Sequence, residues 1–494
     1  MRQFCVSKPA IAVFLAAFAF FTAMLPHWTA RLDPLTGDEP FYVMTALSIV
    51  RDLDLDESNN YEIVEMETEG GTTTLYRFDP ELYPPDPLPP DWQGWESPPD
   101  LVGPHAATTE REGYYTKHGL GLSFLIALPF EAFGRLGANL VVIIFGSALA
   151  SQMYFLARES GAGIHSAVTG ALLLTVAMPI GPYSLLLFPE VPAALLLVYA
   201  VRRLAAQENR YWQWLLSGTA IGFLPWLHQR FAVSATILAV IGIAMLLRSG
   251  RGRQIPWFAV PIGTAGLLLL GYNQWLYGVP FQRVEDHAGF NDLSGTINGA
   301  FGLLLDAQWG LLIAAPLMVL AISYYPVLAV QTPALLRISL AACAPYLLVV
   351  AAYSVWWGEW GPPSRYLVPV VPFAAATLGA FLQQGYLIRW AIVVVMAVPG
   401  LILTLLGYVA PQRFYHHPDG RNKLVAALDS HLGTDIIGVL VAFQPYAVAP
   451  LHERIWISIL LVAATCLLTA VSLLIVVRKR PQSGDDRVKR TYVR

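Results

Sequence analysis

The sequence predicts an all-α polytopic membrane protein of about twelve transmembrane helices, with a large first polar loop that carries interfacial helices and a small β-hairpin. Three observations carry that reading. Of the 494 residues, 55% are hydrophobic and 13% charged, and mean hydropathy is +0.52, values outside the range of soluble domains. Apolar runs of roughly 20 residues recur, the length that hydrocarbon requires of a helix. Charge is also segregated: residues 31–118 hold 19 Asp/Glu against 5 Lys/Arg, which leaves 26 basic and 15 acidic residues elsewhere. An acidic block beside a basic remainder places the two on opposite faces of a bilayer. Cys5, Cys343 and Cys466 make no disulfide framework.

Residues 1–29 hold the first span, Pro9 to Trp28. Arg2 and Lys8 precede it, as in a signal peptide, but its length and the lack of a small-x-small cleavage site favour a retained anchor. Residues 30–136 form the acidic loop with its juxtamembrane helices. From Glu39 to Arg51 apolar residues recur at helical spacing (Phe41, Met44, Leu47, Val50), the pattern of an interfacial helix. Tyr61 to Phe78 reads as a hairpin about Gly70-Gly71, pairing Met66 with Leu75. Residues 84–104 contain eight prolines and should be extended. Most of this insert reads as a solvated cap. Gly119 to Gly134 is short, contains Pro129 and ends in Glu131 and Arg135, so it is expected to lie at the interface as a second helix.

The bundle occupies 137–409, with spans expected at 137–157, 164–181, 185–201, 212–228, 231–247, 255–275, 309–328, 334–354, 366–382 and 388–409. An outer loop (410–454), a last span (455–477) and a basic cytoplasmic tail (478–494) follow. The positive-inside rule supports this order: seven short segments, 67 residues together, hold 18 of the 31 Lys/Arg. Both termini then lie in the cytoplasm. The first loop, Gln229-Arg230, Tyr277 to Gln308, Trp356 to Tyr366 and Gln412 to Glu453 face the other way. No internal repeat and no nucleic-acid signature is present.

The polar residues of interest gather on that face. Thr36-Gly37-Asp38-Glu39-Pro40-Phe41-Tyr42 sets two adjacent carboxylates just beyond the first span. Helix capping accounts for one of them, worth about 0.5–2 kcal/mol. Two in succession at a membrane surface equally suit a general base that meets an acceptor there. Glu190, in Phe188-Pro189-Glu190-Val191-Pro192, opens an otherwise apolar span. It is either a functional intramembrane acid or a terminal residue that snorkels to the interface. Cations stand in Leu227-His228-Gln229-Arg230, in Tyr114-Tyr115-Thr116-Lys117-His118-Gly119 and in the run Trp356 to Tyr366, which ends in Arg365. The tryptophans fit an ordinary aromatic belt. Arg365, in a Gly/Pro-rich turn, can grip a lipid phosphate in bidentate fashion, or pair with Glu359, or anchor to headgroups. Asp306 fits a helix cap, and His416-His417 has no matching ligand set for a metal.

These motifs resemble the GT-C superfamily of polytopic glycosyltransferases, which includes protein O-mannosyltransferases and the lipid A aminoarabinose transferases. The resemblance rests on Asp38-Glu39-Pro40-Phe41-Tyr42, on Lys117-His118-Gly119-Leu120-Gly121-Leu122, on Pro189-Glu190, and on Trp356 to Pro369 with its Trp-Trp-Gly-x-Trp and Arg-Tyr-Leu-x-Pro parts. It implies a GT-C fold and a polyprenyl-phosphate sugar as donor. Transfer would invert the anomeric centre, onto a glycan, lipid or protein acceptor. Asp38 would be the base, with Glu39 as the alternate, and Glu190 would orient the base's partner or the acceptor hydroxyl. Arg365, Lys117, Arg230, His118 and His228 would hold the phosphate, and Tyr42, Trp357, Glu359 and Tyr366 would line the substrate site. No cofactor is required, although some members use a divalent metal. The site would face the periplasm or exterior of the cell (inner) membrane. The insert 57–112 has no counterpart, nor does the long C-terminal domain of some members appear. The absence of a dinucleotide fingerprint agrees with a lipid-borne donor. The rival readings are a lipid-linked sugar flippase or a non-catalytic membrane protein that binds lipid-linked glycan.

Overall fold

The computed structural model describes residues 7–32, 35–68, 71–78, 106–206, 209–281, 289–383, 387–416, 420–443, 460, 462–468 and 470–471. The proline-rich segment 84–104, His417, the basic tail and most of the expected last span lie outside the described residues.

The chain is a helical membrane protein. Helices α1 (Lys8–Arg31) and α2 (Glu39–Leu47) come first, followed by β1 (Tyr61–Thr68) and β2 (Gly71–Phe78). Next come α3 (Leu120–Glu159), α4 (Ile164–Val176), α5 (Ile180–Tyr183), α6 (Glu190–Ala205), α7 (Tyr211–Leu227), α8 (Ala232–Arg248) and α9 (Ile255–Tyr277). Then follow α10 (Leu293–Leu305), α11 (Leu311–Ala314), α12 (Met318–Gln331), α13 (Pro333–Ala352), α14 (Ala374–Gln383), α15 (Leu387–Val409) and α16 (Lys423–Leu432). Among the described residues six helical stretches are long and apolar enough to cross a membrane: Lys8–Arg31, Leu120–Glu159, Gln229–Arg248, Gly252–Tyr277, Pro333–Ala352 and Leu387–Val409. Several present large apolar side chains outward, such as Leu267 and Leu268 on α9 and Val395 and Leu405 on α15. A helix with such a face needs lipid or another apolar partner over it.

Where an apolar run is uninterrupted, helix and expectation agree within a few residues, as in α1, α7, α8, α9, α13 and α15. Elsewhere backbone chemistry divides it. Expected span 164–181 stops at Val176, because Pro179 disfavours helix in the residue before it. Span 185–201 begins only at Glu190, after a buried non-helical stretch over Ser184 to Phe188. Pro316 splits 309–328 into α11 and α12, and Pro369 and Pro372 leave only short 3₁₀ turns before α14. The 119–134 segment is continuous with the next span in α3, separated from it only by a kink at Gly134 (φ 59°, ψ −149°). Two expected loops contain helices. α10 packs on α13, with Gly299 and Gly302 under the Trp356 indole. α16 is capped by Asn422, whose side chain accepts from the Leu424 and Val425 N–H groups.

The hairpin forms, but in a shifted register. Val64 opposes Leu75 and Met66 opposes Thr73, in an antiparallel ladder that runs from Tyr61 opposite Phe78 to Thr68 opposite Gly71. The first expected interfacial helix is not half-exposed: every residue of α2 is buried. Thr45 Oγ1 donates to Glu57 Oε1 at 2.5 Å and Asn60 Nδ2 to the Met44 carbonyl at 3.0 Å, fastening the base of the acidic loop to α2.

Chain direction sorts the charges. Arg158, Arg202, Arg203, Arg210, Arg248, Arg251, Arg253 and Arg389 collect at one end of the bundle, where Arg202 Nε meets Glu159 Oε2 at 2.8 Å and the Gly163 N–H meets Gln383. Asp38, Glu190, Arg230 and Arg365 stand at the other end, where α1 finishes and α3, α6 and α8 start.

Candidate active site

Four segments bring one charge each to that second end. The turn after α1 carries Asp38, the first residue of α6 is Glu190, the α7–α8 link holds Arg230, and the turn after α13 ends in Arg365. They form one chain of ion pairs. Arg365 Nη2 lies 2.5 Å from Asp38 Oδ2, Arg365 Nε lies 2.8 Å from Glu190 Oε1, and Arg230 Nη2 lies 2.5 Å from the same Glu190 oxygen. Side-chain exposure falls from 20% at Asp38 to 9% at Arg230, 7% at Arg365 and 0% at Glu190. Asp38 is therefore the carboxylate of this cluster that faces outward. Glu190 is not a snorkelling residue, and Arg365 pairs with Asp38 and Glu190 where the sequence offered Glu359. Glu359 is exposed, with a backbone φ of 48°.

The backbone explains how Arg365 reaches this position. Ser364 takes the left-handed conformation (φ 64°), and its hydroxyl donates to the Trp309 carbonyl at 3.0 Å. Gly358, at φ 85°, turns its carbonyl to accept from Arg365 Nη1 at 3.2 Å, and a side chain there would press on the arginine stem. Tyr183 donates its hydroxyl to the Pro362 carbonyl at 2.8 Å. On the opposite wall Gly37 (φ 63°) lets the Asp38 turn approach the Trp360 carbonyl, where a Cβ would come within 2.7 Å.

Asp38 sits at the N-cap position of α2 but makes no side-chain capping bond, since its carboxylate is turned to Arg365. Glu39 has a different task. It is fully buried, and its two oxygens accept from the Leu187 N–H at 2.9 Å and the Thr36 N–H at 3.4 Å. Burial pushes its carboxyl above the ordinary range, with nearby Arg135 and those N–H bonds opposing. It ties the stretch before α6 to the start of α2, and so ties Glu190 to Asp38.

The two histidines of the site are not cations. His118 stacks on Phe41 with ring centroids 5.7 Å apart and lies 5.2 Å from the Tyr42 ring. Desolvation pushes its imidazole down to about 4, against the pull of Asp38. His228 is pushed well below its usual value by burial and by Arg230 and Arg365. Its Nδ1 accepts from the Arg230 N–H at 3.2 Å, which assigns the remaining proton to Nε2. At neutral pH both are neutral, and positive charge near the site belongs to Arg230, Arg365 and Lys117. Lys117 is half-buried beside His118.

Aromatic rings enclose the cations. The Arg230 guanidinium stands 4.6 Å from the Tyr366 ring centroid and that of Arg365 4.5 Å from Phe188. Trp357 is buried edge-on to Trp356, with centroids 5.6 Å apart. Tyr42 Oη, Glu190 Oε2 and Arg230 Nε are buried and find no hydrogen-bond partner among the described residues. The cluster thus keeps donor and acceptor capacity that the protein itself does not use.

Asp306 and His416 belong elsewhere. Asp306 accepts from the N–H groups of Gln308, Trp309 and Phe443 at 2.7 to 2.9 Å, a structural staple. His416 packs against Trp309, and its Nδ1 accepts from the Lys423 N–H at 3.3 Å. Among the described residues no group of three or more His, Cys, Asp or Glu is placed to hold a metal. The sequence reading missed Tyr183 and Ser364, which carry no local signal. It quoted Phe188 only as a neighbour of Glu190.

Set against known protein families, characterised proteins and solved structures, the chain matches none of them.

Proposed function

We propose that this protein is a membrane glycosyltransferase of GT-C type, which moves a sugar from a polyprenyl-phosphate donor to an acceptor at the face where Asp38 lies. The observation that carries the proposal is the junction of Asp38, Glu190, Arg230 and Arg365 at one end of the bundle, with Asp38 turned outward. In this reading the short helices α4, α6, α12 and α14 complete their crossings with the irregular segments beside them, giving about twelve passes. The basic end then faces the cytoplasm and the cluster faces the periplasm or exterior.

The donor's prenyl tail lies between helices, and its phosphate approaches Arg365 and Arg230, with Lys117 at the rim. Asp38 accepts the proton of the acceptor hydroxyl as that oxygen attacks C1. The C1–O bond to phosphate breaks with oxocarbenium character, the phosphate leaves as the anion, and configuration inverts. Glu190 fixes both guanidinium groups, and Glu39 positions the Asp38 turn. Tyr42, His118 and His228 supply neutral polar contacts suited to sugar or acceptor hydroxyls, with Trp357, Tyr366 and Glu359 around them. A general base contributes about 10²–10⁴-fold, and a preorganised cationic site stabilises charge on the departing phosphate.

Arg365's three acceptors favour a competing reading, in which the cluster is a structural ion network in a non-catalytic membrane protein. Transfer assays with defined polyprenyl-phosphate sugars separate the two. Asp38→Asn should lose transfer while it stays folded; a structural network predicts that this variant unfolds early and that no donor is turned over.

A further inference from the structure

We infer that the Asp38–Arg365 ion pair is a latch that the donor's own phosphate opens, so that the base becomes available only once the donor is bound. This rests on the transferase reading above. Arg365 is held from three sides, but unequally. Glu190 is fully buried and grips Nε at 2.8 Å, and the Gly358 carbonyl receives Nη1 at 3.2 Å. Both lie on the protein side. The third partner, Asp38 on Nη2, is the one with an outward face, at 20% exposure.

An anion that arrives from the open side meets Nη2 through Asp38's position. It can replace that carboxylate without disturbing the other two bonds, so the guanidinium stays aimed while its third acceptor changes. Phosphate and carboxylate are both good guanidinium ligands, so the exchange is one charge-assisted contact for another. Asp38 makes no capping bond to α2 that such an exchange would break, and it follows Gly37 (φ 63°). Glu39, bound to the Leu187 and Thr36 N–H groups, holds the turn's backbone while the Asp38 side chain rotates. Before exchange the Asp38 carboxylate is bound to a cation and is a poor proton acceptor. After it, the same carboxylate stands beside a bound donor and can take the acceptor's proton. Binding is then ordered, donor first, and water that enters the empty site meets a base still held by Arg365.

The test measures binding without chemistry. The probe is a long-chain polyprenyl monophosphate lacking sugar, titrated into the full-length protein in phosphatidylcholine nanodiscs at low and at high salt. Asp38→Asn removes the competing carboxylate and should bind the probe about ten-fold more tightly than wild type, the equivalent of one lost charge-assisted contact. The gain should persist at high salt, because a field acting through solvent is screened there and direct competition is not. Asp38→Ser, which also lacks the carboxylate, should behave alike and covers the case in which Asn folds poorly. Equal or weaker binding by both variants, or a gain abolished by salt, overturns the latch and leaves the transferase reading intact. A failure of wild type and both variants to bind any polyprenyl phosphate removes that reading and the latch with it.

Discussion

Two arginine–carboxylate clusters stand at opposite ends of this bundle, and they are built on different plans. At the basic end Arg202 turns its fork onto one carboxylate. Nε lies 2.8 Å from Glu159 Oε2, Nη2 meets the other Glu159 oxygen, and Nη1 meets Gln152. Arg202 and Glu159 each stand in the last turn of a helix, α6 and α3, and Glu159 is 39% exposed. It is a bidentate clasp between two helix ends, joined by Arg203 Nη2 at 3.3 Å from Glu159 Oε1, and both cations suit a helix C-terminus. At the other end the Arg365 guanidinium is divided among Asp38, Glu190 and a carbonyl from three separate segments, and Glu190 is divided between two arginines. Glu190 Oε2 and Arg230 Nε remain unbonded. The clasp joins two helix ends around an acid that is 39% exposed, whereas the site-end cluster joins four separate segments around Glu190, which is fully buried.

That contrast can be broken in graded steps. The largest effect is expected at Glu190, where Ala would strip the nearly buried Arg230 guanidinium of its carboxylate and leave Arg365 with Asp38 and the Gly358 carbonyl alone. A buried charge stripped of its partner costs about 3–5 kcal/mol, so thermal unfolding in detergent should show a large drop, with transfer lost as well. Arg202→Ala sharpens the comparison. The exposed Glu159 can rehydrate, the loss should be about 1–3 kcal/mol, and transfer by the folded fraction should not change. If Arg202→Ala inactivated the protein as thoroughly as Glu190→Ala, the two ends would not differ in kind.

Glu57, at the base of the acidic loop, offers a test by pH. Burial pushes its carboxyl up to about 8, against the Thr45 hydrogen bond. The folded protein therefore holds a proton that the unfolded chain releases from the ordinary glutamate range upward. Stability from this group is fully present below that range and is lost as pH rises toward 8. Melting temperatures of wild type should fall across that window, and Glu57→Gln should flatten the slope. An unchanged slope in the variant would remove Glu57 from the account. The smallest effect belongs to Tyr183→Phe, which deletes the hydroxyl bond to the Pro362 carbonyl. Stability should drop by about 1 kcal/mol, with a few-fold loss of transfer as the Arg365 turn loosens.

Parts of this arrangement were legible in the sequence because they depend on composition alone. Uninterrupted apolar runs located α1, α7, α8, α9, α13 and α15, and the distribution of Lys/Arg separated the two ends. Adjacent acids after the first span drew attention to Asp38, and an acid at the start of an apolar run drew it to Glu190. What stayed hidden depends on contacts between distant segments. Nothing near Arg365 shows that its partners lie 175 and 327 residues away, so Glu359, close in sequence, stood in for them. Glu39 and Asp38 look equivalent as neighbours, yet one accepts backbone N–H bonds and the other faces outward. His228 and Lys117 read alike as cations until burial is known. α10 and α16 were missed for another reason: their 13 and 10 residues are too short for a span. The Asn422 cap and Gly433 stop were visible signals for α16 that the search for spans passed over.

The central claim is that Asp38 accepts a proton in the reaction and does not merely hold the fold together. Its most direct test is a paired measurement on purified wild type and Asp38→Asn: unfolding temperature, and transfer of labelled sugar from defined polyprenyl-phosphate donors. The account predicts a folded variant whose transfer rate has fallen by about 10²–10⁴-fold. Transfer at the wild-type rate by that variant would contradict it.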